Sequence, residues 1–220
     1  MSNAPVRTKN SPKKPEVPGK PNPAKANTIN KKEYFGNCQD IILKLGKSIP
    51  ILGICLGMQG IVHSFGGKII HAKEPMHGKI SFLLHDEKGI YEKIPQNIEI
   101  MRYHSLVVDI ETLPDCFVIN GISQENDNKN NILEIKQITP KCEIMAISHK
   151  IYPIYGIQYH PEISYDKMIR LIHFRTERLI EKKAFEDQKE IDNHVQMIEQ
   201  ENQISNKDLR MIELKNWINY

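Results

Sequence analysis

Two short stretches of this chain hold residue types that could build a nucleophile and its base. Gly53-Ile54-Cys55-Leu56-Gly57 has the G-x-C-x-G form, the cysteine analogue of the G-x-S-x-G nucleophile elbow. In such an elbow the turn is so sharp that a β-carbon on either side of the nucleophile would clash, and the sulfur is pushed out at the carboxyl end of a strand. The N-terminus of the following helix favours a thiolate and offers backbone N–H groups to a developing oxyanion. A buried cysteine in a glycine-rich turn fits the pentapeptide alone equally well. A cysteine nucleophile needs a base, oriented by a third group. His160-Pro161-Glu162 offers both, because residues two apart on an extended segment point the same way. A lone histidine near a strand end is usually structural; the companion Glu162 and the Cys55 elbow reverse that judgement.

These side chains need a strand, a tight turn and a helix to position them. Ile49-Pro50-Ile51-Leu52-Gly53-Ile54 is a short apolar run without alternation, as in a parallel strand covered on both faces. Met58 to Phe65 has helical spacing and Gly66-Gly67 ends it. Ahead of this unit, Tyr34-Phe35, Ile41-Ile42 and Leu45 predict an amphipathic helix stopped at Gly46. Short strands are predicted at Ile80–Leu84, Ile98–Ile100, Leu106–Val108, Phe117–Ile119, Ile144–Ile147 and Ile154–Ile157, the last leading into His160. The apolar-free stretch from Gln124 to Asn131 predicts an exposed loop. From Asp166 the chain reads as helical, with Met168, Ile172, Arg175 and Leu179, then Ile191, Val195 and Ile198, along one face.

The 220 residues are 40% hydrophobic and 26% charged, enough for one domain with a sizeable core and too little for two full-size domains. With 30 Lys and Arg against 27 Asp and Glu, the balance of +3 implies neither a nucleic-acid nor a membrane partner. No apolar run approaches the ~20 residues that span a bilayer, and the N-terminus has no signal-peptide core, so a cytoplasmic setting is expected. Cys38, Cys55, Cys116 and Cys142 are too scattered for a disulfide framework, and no pair has C-x-x-C spacing. Residues 1–32 hold eight Lys or Arg against Glu16 alone, with Pro at 5, 12, 15, 18, 21 and 23, and read as a disordered basic arm.

Gly53-Ile54-Cys55-Leu56-Gly57-Met58-Gln59 and Gly156-Ile157-Gln158-Tyr159-His160-Pro161-Glu162 together resemble the signature pair of the class I (triad) glutamine amidotransferases. Between them, Met76-His77-Gly78-Lys79 and Arg102-Tyr103-His104-Ser105-Leu106-Val107-Val108 resemble one branch, the glutaminase subunit of anthranilate synthase and its relative in aminodeoxychorismate synthase. The likeness runs from about Tyr34 to about Phe174, with four motifs in order. It implies an α/β fold of the flavodoxin-like kind, an open, mostly parallel sheet with flanking helices. It also implies that Cys55 attacks the side-chain amide of L-glutamine, His160 carries the proton to ammonia, and Glu162 holds the imidazole. Glutamine would be bound through Gln59 and the Ser105-Leu106 backbone, with the Leu56 N–H in the oxyanion hole. No cofactor is implied. His77 and His104 lack acidic or cysteine partners at ligand spacing, so no metal site is expected, and they read as loop or partner-facing residues. His63, His71, His85 and His149 read as structural or surface residues.

The family begins with a βαβ unit and a loop resembling Ser-Pro-Gly-Pro-Gly-x-Pro that supplies an oxyanion amide. Here the arm alone precedes Tyr34, and Val17-Pro18-Gly19-Lys20-Pro21-Asn22-Pro23 echoes the loop, with Gly19 at the binding position and Pro21 lacking an N–H. The expectation is therefore an arm at 1–32, an amidotransferase domain at 33–175 without its first βαβ unit, and a helical extension at 176–220. That extension is either solvated or partner-binding, and Trp217 suggests that part of it docks. Two functions follow. One is a glutaminase that forms a glutamyl thioester and passes ammonia to a chorismate-binding synthase subunit; the other is a non-catalytic homologue acting as a binding or regulatory subunit. The same chemistry serving guanine-nucleotide or carbamoyl-phosphate synthesis is a third reading, which Arg102 to Val108 argues against. Cys55 is expected to be the only strongly nucleophilic thiol of the four. Labelling with a glutamine-like electrophile and locating the adduct by mass spectrometry checks this, and modification spread evenly over all four cysteines contradicts it.

Overall fold

The computed structural model describes residues 35–124, 142–204 and 212–219. The basic arm, Gly19, Tyr34 and all of the expected 124–131 loop except Gln124 lie outside them. Helix α1 is Cys38–Leu45, strand β1 Ile51–Ile54, helix α2 Leu56–Ser64, and strands β2 to β6 are Ile69–His85, Ile98–Val108, Phe117–Gln124, Ile144–His149 and Ile154–Ile157. Helices α3 to α6 follow at Tyr165–Phe174, Thr176–Glu181, Gln188–Ile204 and Ile212–Ile218. Among the described residues, no helix is long and apolar enough to cross a membrane.

The described strands form one sheet in the order β1-β6-β5-β4-β2-β3, with helices packed on it. An α/β sheet flanked by helices agrees with expectation; the strand directions do not. β1 and β6 are parallel, whereas β6–β5, β5–β4, β4–β2 and β2–β3 are antiparallel, so the sheet is mixed rather than mostly parallel. Parallel neighbours need a crossover of a dozen or more residues, and β5 returns into β6 through residues 150–153 alone. Strands β2 and β3 are longer than their apolar cores suggest and absorb both branch motifs. A register shift between His77 and Lys79 lets β2 continue. Gly78 sits there at φ +77°, and a Cβ on it would come 2.6 Å from Ile172 Cδ1.

The two sheet faces divide the core. On one, Met58, Ile61 and Val62 of α2 and Ile42 of α1 pack with Ile69, Ile147 and Ile154. On the other, Tyr91, Ile100, Met145, Tyr155, Ile157 and Tyr159 receive Ile212 and Trp217 of α6. A fully buried side chain of the Met58 or Ile157 kind stabilises the fold by roughly 1.5–3 kcal/mol. Tyr165, Met168 and Ile172 of α3 make a third cluster with Leu179, Ile191, Val195 and Ile198. Ser164 starts α3 by accepting the Lys167 N–H. The helical extension expected over 176–220 is not one continuous helix, since α4 ends at Glu181 and α5 begins at Gln188. Phe185 turns into the third cluster, and Asp187 restarts the helix by accepting the Glu190 N–H at 2.8 Å.

The elbow joins β1 to α2, and its glycines are not equivalent. A Cβ on Gly53 would lie 2.5 Å from the Gly57 carbonyl carbon and 2.6 Å from its oxygen, which are backbone atoms. A Cβ on Gly57 would meet nothing within 4 Å, so the expectation of a clash on both sides holds for Gly53 alone. The backbone of Gly57 crowds Gly53 while its own side-chain direction is open. Gly53→Ala is therefore expected to destabilise by about 1–3 kcal/mol and Gly57→Ala by less than ~1 kcal/mol. Urea unfolding of the two variants measures the difference, and equal losses would contradict this account of the turn.

Candidate active site

Cys55 is the residue between β1 and α2, at φ +50° and ψ −103°, a conformation that non-glycine residues rarely adopt. Parallel pairing maintains it. Gly53 lies opposite Gly156 and Ile54 opposite Ile157, and the Cys55 N–H donates to the Ile157 carbonyl at 2.7 Å. The nucleophile candidate thus leaves β1 beside the point where β6 runs into 158–160. Leu56 opens α2, so its N–H is one of those that a helix leaves without an intrahelical acceptor. Its side chain is half exposed.

His160 reaches this point from β6. Its N–H donates to the Met101 carbonyl at 3.0 Å, and its Nδ1 lies 2.7 Å from Glu162 Oε1. The pairing arises from a turn, not from an extended segment as expected. The Ile163 N–H bonds back to the His160 carbonyl at 3.3 Å, with Pro161 presetting the first corner. The Cys55 side chain lies near enough to the imidazole to act on its charge. With Nδ1 turned to Glu162, Nε2 is the ring nitrogen left for a second partner. Burial alone would lower the His160 pKa, but the Cys55 and Glu162 contacts outweigh it and raise it to about 9. Burial likewise works against the Glu162 carboxylate, yet the His160 bond and the Glu162 backbone N–H hold its pKa below the ordinary value. At neutral pH the pair is an imidazolium and a carboxylate.

Gln59 lies buried on α2. Its Nε2 donates to the Leu106 carbonyl at 3.1 Å and to Gln158 Oε1 at 3.0 Å. The Gln158 Nε2 in turn donates to Cys55 Sγ at 3.4 Å. Two side-chain amides thus connect the Ser105-Leu106 segment of β3 to the sulfur. Ser105 is exposed at that strand and Leu106 half-buried. Cys55, Gln59, Leu106, His160 and Glu162 are brought together as expected, while Gly19 lies outside the described residues. Gln158 stands inside a recognised motif without an assigned role. The sequence signal for it is a polar residue directly after the four buried residues of β6.

His77 and His104 are not loop residues; they sit on β2 and β3. His104 is buried, and Arg102 donates from Nε to its Nε2 at 3.1 Å, leaving the ring proton on Nδ1. Burial first, then the Arg102 charge, push the His104 pKa down to about 3. Arg102 is itself tied to Ser81 Oγ at 3.1 Å and to Glu143. A neutral His104 adds no positive charge beside His160. Burial also lowers the His77 pKa, helped by Lys79 and Arg175, and its ring stands edge-on to Tyr103. Among the described residues, no group of three or more His, Cys, Asp or Glu is placed to hold a metal ion.

Residues 17–175 match the family described as glutamine amidotransferase class-I. A protein named anthranilate synthase component 2, from Leptospira biflexa, is 44% identical over 129 residues, 59% of this chain and 58% of that one. Aminodeoxychorismate/anthranilate synthase component 2 of Bacillus subtilis is 43% identical over 114 residues, 52% of this chain and 50% of its own length. The chain thus spans half to three fifths of these curated relatives. The crystal structure of a glutamine amidotransferase from Thermotoga maritima superimposes with a TM-score of 0.60 at 20% identity, over 86% of this chain and 70% of that chain, which shows a shared fold.

The His160 charge state gives a pH expectation. Because its pKa is raised in the fold, its stabilising contribution is complete below the ordinary value of 6.5 and disappears as pH rises through about 9. Glu162→Gln removes one of the two groups holding the proton and is expected to lower the His160 pKa by more than ~0.5 unit. An NMR titration of the imidazole measures it, and an unchanged midpoint would separate Glu162 from His160.

Proposed function

The chain belongs to the class-I glutamine amidotransferase family, and from that premise we propose that it hydrolyses L-glutamine through Cys55, His160 and Glu162. The observation that carries this reading is the imidazole of His160, held by Glu162 at 2.7 Å and kept protonated by that carboxylate and by the neighbouring Cys55 side chain. The Cys55 sulfur attacks the side-chain amide carbon of glutamine, and the carbonyl oxygen takes up negative charge opposite the Leu56 N–H. The N-terminal loop amide at Gly19 is the second donor that the family likeness suggests. His160, already an imidazolium, protonates the departing nitrogen, which leaves as ammonia, and a glutamyl thioester remains on Cys55. The now neutral His160 draws a proton from water, hydroxide attacks the thioester, and glutamate leaves as the thiolate returns. The Glu162 carboxylate keeps Nδ1 protonated throughout, which directs Nε2 to the sulfur side.

Glutamine itself would be gripped by Gln59 and by the backbone at Ser105 and Leu106. These stand on α2 and β3, joined by the hydrogen bond from Gln59 to the Leu106 carbonyl. The partner is a chorismate-binding synthase subunit that consumes the ammonia, by analogy with the relatives named as component 2 of such synthases. Among the described strands, β1 is paired on one side only, so the strand that carries Cys55 is open to adjustment by whatever lies along it. Reaction rates respond to errors near 1 Å in such positions by as much as ~100-fold.

Cys55→Ser and His160→Ala are each expected to lower ammonia release by ~10³-fold or more, with the double variant no worse than either single one, since the triad acts as a unit. Glu162→Gln is expected to be milder. Adding a chorismate-binding subunit is expected to raise the steady-state rate. An active His160→Ala variant would overturn the assignment. No ammonia release under any partner condition would leave a chain that binds without catalysing.

A further inference from the structure

Helix α6 follows residue 175, where the family match ends, and carries one acid into the core beside the site. Glu213 is 1% exposed and is the only buried Asp or Glu among the described residues. Its Oε1 accepts the Tyr159 hydroxyl at 3.0 Å, and the Tyr159 and Tyr91 oxygens are 3.0 Å apart. The single proton of Tyr159 goes to Glu213, so Tyr91 is the donor in the second bond. Asn216 fastens the same helix by donating to the carbonyls of Ile90 and Glu92, each at 3.0 Å.

Packing alone does not account for an acid here. Glu213 Oε2 is buried without a hydrogen-bond partner, and an under-satisfied buried carboxyl costs more than one hydrogen bond returns. Burial pushes its pKa up to about 7, against the opposing pull of its own backbone N–H and of Tyr159. A leucine would fill the space without that penalty. What the acid gains is a hold on the catalytic segment. Gln158 and His160 both turn their side chains to Cys55, whereas Tyr159 between them turns to Glu213. The Gln158 and His160 N–H groups are fixed to the Met145 and Met101 carbonyls at 2.8 and 3.0 Å. A cavity of about 10 Å³ lies beside this contact, and His160, Tyr159, Met101, Glu99 and Glu213 are among its walls.

We propose that Glu213 is a positioning residue for His160: acting through Tyr159, it braces residues 158–160 from the side opposite the sulfur, so that docking of α6 sets the alignment of His160 with Cys55. The proposal rests on the amidotransferase reading of the site. Its consequence is that a helix beyond the family's matched length controls turnover without touching substrate.

The test uses the full chain, with Glu213→Ala, Glu213→Gln and Tyr159→Phe, and reads both native-state amide exchange and steady-state ammonia release. Glu213→Ala and Tyr159→Phe are expected to lower protection of the Gln158 and His160 amides by ~10-fold while β1 stays as protected as in the wild type. Both are expected to lower kcat by ~10-fold with KM within about twofold, because alignment and not binding is lost. Glu213→Gln keeps an acceptor for Tyr159 and is expected to recover most of both. Unchanged protection at His160, or a loss shared equally by β1 in Tyr159→Phe, overturns the brace. If the wild type releases no ammonia, the amidotransferase reading fails, and the exchange data still decide whether Glu213 holds the segment.

Discussion

The parallel pairing of β1 with β6 brings the carboxyl ends of two strands side by side, and nearly every contact at the site depends on that. With Ile54 opposite Ile157, the residue after each strand end lies close to its counterpart, and the Cys55 N–H closes the ladder on Ile157. A register slip of one residue would turn the alternate side chains to the other face. The elbow would then point Cys55 away from His160. Gly53 and Gly156 occupy the middle of this pair because α2 presses on it. A Cβ at Gly156 would sit 2.8 Å from Met58 Cγ, just as one at Gly53 would strike the Gly57 backbone. The close seat of α2 is thus bought with two glycines, and it is what aims the N-terminus of the helix at the sulfur.

Around that pair, the opposite faces of the sheet have separate tasks. The α2 face supplies Gln59, whose amide reaches Leu106 and Gln158 and through it the sulfur, so Cys55 and the β3 segment are tied by hydrogen bonds as well as by the sheet. The far face holds the Tyr91, Tyr159 and Glu213 chain. Between them lies the charge arrangement. His160 keeps its proton because Cys55 and Glu162 flank it, while His104 behind it is kept neutral by burial and by Arg102. Two histidines on adjoining segments therefore hold opposite protonation states at one pH.

The sequence disclosed the parts whose causes are local. An apolar run with Gly at both sides of a cysteine, followed by helical spacing, specifies strand, turn and helix with little help from elsewhere, and these appear where expected. The His160 and Glu162 pair was legible too, but through the wrong geometry, since Pro161 makes a turn where alternation suggested a strand. Strand direction was not legible. Apolar strands read alike whichever way their neighbours run, and the short 150–153 return that forces β5 against β6 weighs little in a pattern. The burial of His104 and Glu213 was hidden for a different reason. Each is a polar residue whose setting, an Arg102 held in place by Ser81 and Glu143 for one and Tyr159 for the other, is assembled only in the fold, and such residues are ordinarily assigned to the surface.

The Gln158 amide that touches the Cys55 sulfur lies 103 positions further along the chain. Contacts of such sequence separation form late, because closing a long loop costs entropy before any native contact repays it. The intervening strands are antiparallel neighbours with much shorter connections, so they can assemble while β1 still lacks β6. Until β6 arrives, Cys55 has no Ile157 carbonyl to close its turn, no Gln158 amide and no imidazole. A chain still emerging from synthesis, or stalled part-way, therefore carries Cys55 without any of these partners, and completion of the fold is itself the event that surrounds the sulfur with them.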